Sequence, residues 1–293
     1  MNKHPYFDLL LLDESELVHH FKQNIFARKT VQEWPLSAVE EITLNDGTVW
    51  MLKSVREPLT IEGKFYQQVN RTFLPATVIL YDDLSYQSFL YPRITGNHPS
   101  KEHLCTEEIL VMMDRLIQMI RSLPQTNLPH RLDVSTPQAF HRQFYHLIEK
   151  LHTLIQQCPD GHLNSQDCAT LLPIINDQHL IHTLTADSTY VHGDLSADNI
   201  LITPDDTLHI IDWQRMIYGS PLLDRYTFLS SIGIDPDDHL PPEAGIIACL
   251  ERIDWFTDTA LYWFPAFQEG YTASIAELIQ NLPPIYQKFC SEE

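Results

Sequence analysis

Positive charge is scarce in this chain: 19 Lys and Arg stand against 39 Asp and Glu over 293 residues, a net charge of −20. Such an excess repels nucleic-acid backbones and anionic membrane surfaces, so neither is expected as a partner. Cysteine is sparse too. The five present (Cys105, Cys158, Cys168, Cys249, Cys290) are odd in number and widely spaced, with no CxxC pair. That speaks against a disulfide framework and for reduced thiols in a cytoplasmic protein. Fifteen histidines form no HExxH or comparable spacing, so no dedicated zinc site is expected. Glycine is held to nine scattered residues, without a Gly/Ser linker, a low-complexity tract or a repeat. Near the N-terminus a short apolar patch, Leu9 to Leu12, runs at once into Asp13 and Glu14. It is too short for a signal peptide or a membrane span.

What remains is an ordinary globular composition, 44% hydrophobic and 20% charged, with room for one large domain or two lobes. The texture changes at about Pro92. Before it, Val39 to Leu44 and Thr48 to Ser54 flank Asn45-Asp46-Gly47, a strong hairpin turn. Ala27 to Leu36 reads as a preceding strand, and Ala76 to Tyr81 with Tyr86 to Tyr91 as a following pair. Thr60 to Phe73 has helical spacing. Beyond Pro92, helices are expected over Thr106 to Ser122, Pro137 to Gln157 and Ser165 to Leu184. In the first of them Ile109, Met113, Leu116, Ile117 and Ile120 form an apolar stripe, with Glu107 and Glu108 at the positive N-terminal end. The expected class is α+β: a small N-terminal antiparallel-sheet lobe, residues 1–92, and a larger, mainly helical C-terminal lobe, residues 93–293.

The chemistry concentrates in a strand-rich island, Tyr190 to Trp213. Residues 200–203 and 207–211 are apolar and β-branched, and Pro204-Asp205-Asp206 between them is a turn. In such a hairpin Asn199 enters the first strand where Asp212 leaves the second. An amide oxygen and a carboxylate then converge, which suits Mg2+, a cation that takes oxygen ligands and keeps waters or phosphate oxygens besides. Asp194 lies five residues before Asn199, on a tight segment opened by Gly193. A carboxylate held there is placed to accept the proton of an attacking hydroxyl, a contribution of roughly 10²–10⁴-fold.

A cation for the phosphates comes from the first lobe. Strand alternation puts Val49, Met51 and Lys53 on one face, and a lysine turned inward needs a partner. On the following helix Glu62 shares a face with Tyr66, Val69 and Phe73, so each charge accounts for the other. A Lys53–Glu62 ion pair holds the ammonium toward nucleotide phosphates.

His192-Gly193-Asp194-Leu195-Ser196-Ala197-Asp198-Asn199, followed by Ile211-Asp212-Trp213, resembles the signature of the aminoglycoside phosphotransferase/choline kinase-like family. These are small-molecule kinases with a two-lobed, protein-kinase-like fold. The resemblance implies ATP as donor, with GTP an open alternative, and Mg2+ as cofactor. It implies Asp194 as catalytic base, Asn199 and Asp212 as metal ligands, Lys53 on the phosphates and Glu62 as its partner. It further implies that His192 and Asp224 brace the catalytic loop and that Phe89 to Arg93 form an inter-lobe hinge. One departure stands out: Trp34 to Glu41, where a phosphate-covering loop belongs, has no glycine and so lacks the φ > 0 conformations that let backbone approach phosphate. Ser37 is then the residue left to offer a hydroxyl and neighbouring amides. The acids and aromatics of the C-terminal helices, among them Asp254, Trp255, Asp258, Tyr262 and Trp263, suit a cationic acceptor, aminoglycoside-like or choline-like. Two other readings stay open: a nucleotide-binding pseudokinase, on the glycine-free loop, and a metal-dependent phosphohydrolase. The oligomeric state is not legible.

Overall fold

The structure, a computed structural model, describes residues 1–124 and 127–291. The chain packs into two compact units. One comprises Met1–His103, Leu123–Arg131 and Ala197–Met216; the other comprises Leu104–Ser122, Leu132–Ser196 and Ile217–Glu293.

In the first unit, two short strands, β1 (Asn2–Lys3) and β2 (Leu10–Leu11), pair antiparallel. Helix α1 (Glu14–Phe21) follows. Asp13 starts that helix with a capping box: its carboxylate accepts the Glu16 N–H at 3.0 Å, and the Glu16 carboxylate accepts the Asp13 N–H at 2.8 Å, satisfying two amides that a helix start otherwise leaves open. Then come β3 (Ile25–Trp34), β4 (Ser37–Leu44), β5 (Val49–Arg56), helix α2 (Ile61–Gln68), β6 (Val78–Asp82) and β7 (Tyr86–Pro92). They form one antiparallel sheet in the order β3-β4-β5-β7-β6. The β4–β5 turn is the expected Asn45-Asp46-Gly47, with Gly47 at φ +86°, a conformation glycine adopts without a Cβ penalty.

Alternation sorts the two faces of the sheet. Leu52 and Leu90 are directly paired and fully buried; with Ile42, Leu44, Leu12 and Leu17 they make a core on the face that α1 covers. Each such side chain contributes roughly 1.5–3 kcal/mol. The next pairs along, Lys53 with Phe89 and Val55 with Gln87, point to the opposite face. Helix α2 is shorter than its periodicity predicts. It stops at Gln68, and Val69 is extended (φ −123°, ψ 124°). Val69 and Phe73 are still buried, but from an irregular segment, and the Phe73 carbonyl accepts Ile210 N–H at 2.9 Å instead of a helical donor. Gly63 is the third residue of α2, a helical position where glycine is up to about 1 kcal/mol worse than alanine.

The second unit is mainly helical. Its elements are α3 (Thr106–Arg121), β8 (Leu132–Asp133), α4 (Pro137–Gln157), α5 (Ser165–Asn176), α6 (Gln178–Thr185), β9 (Thr189–Val191), β10 (Ile217–Gly219), α7 (Leu222–Ile232), α8 (Pro242–Asp258) and α9 (Gln268–Ser291). The apolar stripe of α3 is buried throughout. The single helix expected over Ser165 to Leu184 is two, broken at Asp177, whose carboxylate caps the second by accepting from the His179 and Leu180 amides. In a small sheet, β10 pairs parallel with β8 and antiparallel with β9. A π-helical segment, Thr259–Trp263, continues α8. No helix among the described residues is long and apolar enough to cross a membrane.

Candidate functional site

The island folds as a hairpin within the first unit, Ile200–Ile202 against Leu208–Ile210. Its register places Ile211, rather than Asp212, opposite Asn199: the Ile211 N–H donates to the Asn199 carbonyl at 2.9 Å. Asp212 lies one residue beyond that pair and is left-handed, at φ +67° and ψ 52°. A non-glycine residue held there stores about 1–3 kcal/mol, so its surroundings must fix it. On its C-terminal side Trp213 is fully buried, stacks on Phe65 of α2 at 4.5 Å and donates its indole N–H to the Ile210 carbonyl at 3.1 Å. On the other side its own carboxylate meets a cation.

That cation is Lys53, at 4% exposure. Its ammonium donates to Glu62 Oε2 at 2.6 Å and to Asp212 Oδ1 at 2.5 Å. The second oxygen of Glu62 accepts from the Tyr66 hydroxyl at 3.3 Å. One ammonium thus serves two carboxylates, so the cluster carries one excess negative charge when both are ionised. Burial pulls the Lys53 pKa down, but the charges of Asp212 and Glu62 outweigh it, and the net direction is upward. Burial pushes the Glu62 carboxyl up to about 7, and the neighbouring Asp212 charge adds to this against the pull of Lys53. Three of the predicted site residues, Lys53, Glu62 and Asp212, therefore meet.

Ser37 does not join them. It opens β4 at 3% exposure, and its hydroxyl accepts the Trp34 indole N–H at 2.9 Å. The stretch read as a phosphate-covering loop is a two-residue turn, Pro35-Leu36, between β3 and β4, and Leu36 is itself buried.

Asp194 belongs to the second unit, on the loop after β9. His192 is fully buried and Gly193 has φ +79°. The backbone N–H groups of both donate to the fully buried carboxylate of Asp224 on α7, at 2.7 and 2.9 Å. The Asp194 N–H donates to His192 Nδ1 at 3.3 Å, and its carbonyl accepts the Ser196 N–H at 2.7 Å. Four hydrogen bonds over five residues leave this loop little freedom, with the Asp194 side chain half-buried at its end. Burial pushes the Asp224 carboxyl up to about 7, against the two N–H donors that favour its charged form.

The donor set around the hairpin fits a hard divalent cation. Asp212 offers a carboxylate with 28% of its side chain exposed, and Asn199 a half-buried amide oxygen. No group of three or more His, Cys, Asp or Glu converges as a cage among the described residues. A metal held by one carboxylate and one amide must take its other ligands from water or phosphate, the habit of Mg2+.

Sequence reasoning missed a second buried ion cluster. Lys150 on α4 donates at 2.6 Å to both Asp254 and Asp258 on α8, and Asp254 is fully buried. The available signal was Lys150 itself, which falls on the apolar face of α4 beside Leu147 and Leu151.

The sequence model of the phosphotransferase enzyme family matches residues 44–256. The chain belongs to this family. Among curated proteins no sequence match is found. The fold is that of the aminoglycoside phosphotransferases. Similar solved structures include ADP-bound aminoglycoside phosphotransferase APH(2'')-Ib, at TM-score 0.59 and 17% identity, covering 92% of this chain and 99% of that one. Macrolide 2'-phosphotransferase type I superposes with TM-score 0.59 and 13% identity, over 92% and 98% of the two chains. Spectinomycin phosphotransferase APH(9)-Ia, in complex with ADP and its antibiotic, gives TM-score 0.53 and 12% identity, over 93% and 99%.

Proposed function

We propose that the protein is an ATP-dependent, cytoplasmic kinase that phosphorylates a hydroxyl of a small molecule. The observation that carries this reading is the placement of Lys53 between Glu62 and Asp212. An ammonium fixed beside a hairpin carboxylate is what a nucleotide triphosphate and its counter-ion need. In this reading Lys53 meets the phosphates, Glu62 orients Lys53, and Asn199 and Asp212 hold Mg2+. When bound, that ion neutralises charge on the phosphate oxygens. Asp194 takes the proton of the acceptor hydroxyl as the new O–P bond forms and the bond from the γ-phosphorus to the ADP oxygen breaks, the electron pair leaving with ADP. Asp224 holds the loop that carries Asp194. Ser37 is given no part, because it is buried at the start of β4 beside the Trp34 indole. A cytoplasmic site is supported by the five free cysteines.

For the acceptor, two acids of α8 are spoken for: Asp254 and Asp258 both face Lys150. Aromatic surface remains, with Tyr262 and Phe267 exposed and Trp255 packed against Trp263 at 4.7 Å. Aromatic faces hold cations and sugar rings alike, in keeping with an amine-bearing, aminoglycoside-like or choline-like acceptor. The test is a phosphorylation screen with MgATP over spectinomycin, streptomycin, hygromycin B, a macrolide, choline and ethanolamine. Transfer of γ-phosphate to one of them supports the reading; nucleotide binding without transfer to any of them favours the alternative, a pseudokinase. The short, glycine-free turn at Pro35-Leu36 is the observation on that side.

A further inference from the structure

Glycine is an unexpected residue inside an eight-residue helix, and the packing of α2 at Gly63 gives its reason. The side chain of Gln87, on β7, runs up against Gly63. A Cβ added at Gly63 would lie 1.9 Å from Gln87 Oε1, 2.3 Å from its Cδ and 2.7 Å from its Nε2. Surface glutamines swing aside from such a clash. Gln87 is fully buried, and its Nε2 donates to Asp82 Oδ1 on β6 at 3.1 Å. Its Oε1 is buried without a hydrogen-bond partner, so it faces the glycine rather than a polar group.

The position of this contact relates it to the lysine. Gln87 and Phe89 project to the same side of β7, and their direct partners on β5 are Val55 and Lys53. The sheet face that carries Lys53 therefore carries Gln87 one pair along. Helix α2 sits on that face with consecutive residues on the two contacts, Glu62 on Lys53 and Gly63 on Gln87. Two residues on from Gly63, Phe65 stacks on Trp213, the neighbour of Asp212. The depth at which α2 lies on the sheet thus decides whether Glu62 reaches the ammonium.

We infer that the bare backbone of Gly63 is the notch that lets α2 settle against Gln87 at the height Glu62 needs, making Gly63 a positioning residue for Lys53. The inference rests on the kinase reading above, in which Lys53 meets the nucleotide phosphates. A methyl group at Gly63 falls about 1.5 Å short of the 3.4 Å of ordinary van der Waals contact. Lifting the helix by that amount stretches the 2.6 Å Lys53–Glu62 contact to about 4 Å, the outer limit of an ion pair.

The experiment measures MgATP affinity by calorimetry for four proteins: parent, Gly63→Ala, Gln87→Ala and the double variant. Gly63→Ala is expected to weaken MgATP binding by about tenfold, since angstrom-scale misplacement of a binding group has effects of this order or larger. Gln87→Ala alone should bind within about threefold of the parent. In the double variant the methyl group occupies the space the glutamine vacated, so affinity should return to that of Gln87→Ala. Such rescue shows that the added methyl group acts through Gln87, since residues in contact are not additive, and affinity measured on folded protein separates the effect from a loss of stability. Should Gly63→Ala fail to fold, the same comparison is read from the double variant against Gln87→Ala. Parent-like affinity in a folded Gly63→Ala protein would overturn the inference, as would a double variant bound tenfold more weakly than Gln87→Ala. A parent that shows no MgATP binding overturns the kinase reading itself, which separates the two failures.

Discussion

Replacing Lys53 by methionine removes the one positive charge that Glu62 and Asp212 share, and pH decides how much this costs. Glu62 has 2% of its side chain exposed and titrates near 7, against 4.5 for an ordinary glutamate. A carboxyl raised in this way binds its proton more tightly in the folded chain than in the unfolded one. Folding stability therefore falls as pH rises above 4.5, by 1.36 kcal/mol per unit, and stops falling once the folded pKa is passed. In the parent that point comes near 7. Without Lys53 only the 3.3 Å hydrogen bond from Tyr66 opposes burial and the Asp212 charge, so the variant's Glu62 stays protonated to higher pH and stability keeps falling. At pH 6 Glu62 is largely protonated in both proteins, and the variant loses chiefly the half-exposed pairing with Asp212, about 1–2 kcal/mol. Between pH 7 and 8.5 the gap should widen by about 2 kcal/mol. The resulting deficit of about 3–4 kcal/mol is in the range for breaking a buried ion pair. Urea unfolding of both proteins at pH 6 and pH 8.5 measures it, and adding Glu62→Gln should flatten the difference. A gap that is constant with pH would refute the argument, as would a variant equal to the parent at pH 8.5.

Asp194→Asn should lower phosphoryl transfer by at least about 10²-fold while MgATP affinity, followed by calorimetry, stays within about threefold. Asp224→Asn turns an amide nitrogen toward a backbone N–H and should cost about 1–3 kcal/mol at pH 5. It should also remove part of the parent's loss of stability as pH rises from 3.8 toward 7, both read from urea unfolding. Lys150→Met leaves Asp254 and Asp258 without their cation and should cost about 3–5 kcal/mol by urea unfolding; Asp258→Asn, at a site with 18% side-chain exposure, should cost less in the same assay.

Local grammar made much of this architecture readable. Asn45-Asp46-Gly47 announces its hairpin because few dipeptides accept φ > 0, and the α3 stripe reads as a helix because its apolar residues recur at the helical period. The island was legible for the same reason, since two β-branched runs about a Pro-Asp-Asp turn have few other conformations. Lys53 and Glu62 could be paired from periodicity alone, being nine residues apart with one strand and one helix between them. The second partner of Lys53 could not. Asp212 is 159 residues away in sequence, and its carboxylate is aimed by a left-handed backbone that aspartate only tolerates. The early end of α2 and the break at Asp177 escaped periodicity as well. Burial continued through both; the hydrogen bond of Phe73 belongs to the tertiary structure, while the cap of Asp177 is local, made to the amides two and three residues on, and the apolar period overrode it. Ser37 reads as a loop residue because Pro35 breaks the strand pattern just before it, and a proline marks a two-residue turn and a longer loop alike.

The first unit is stitched from three stretches of chain, and the strand that delivers Asp212 is in the last of them, Ala197–Met216. During synthesis its five-stranded sheet is complete in sequence by His103, but the indole that covers Phe65 arrives 110 residues later, at position 213. At about 5–20 residues per second the ribosome leaves that aromatic face of α2 without its cover for roughly 5–20 s. Over the same interval Lys53 and Glu62 have each other but not Asp212. Nascent chains of this protein thus pass through a stage in which a finished sheet shows an unfinished surface.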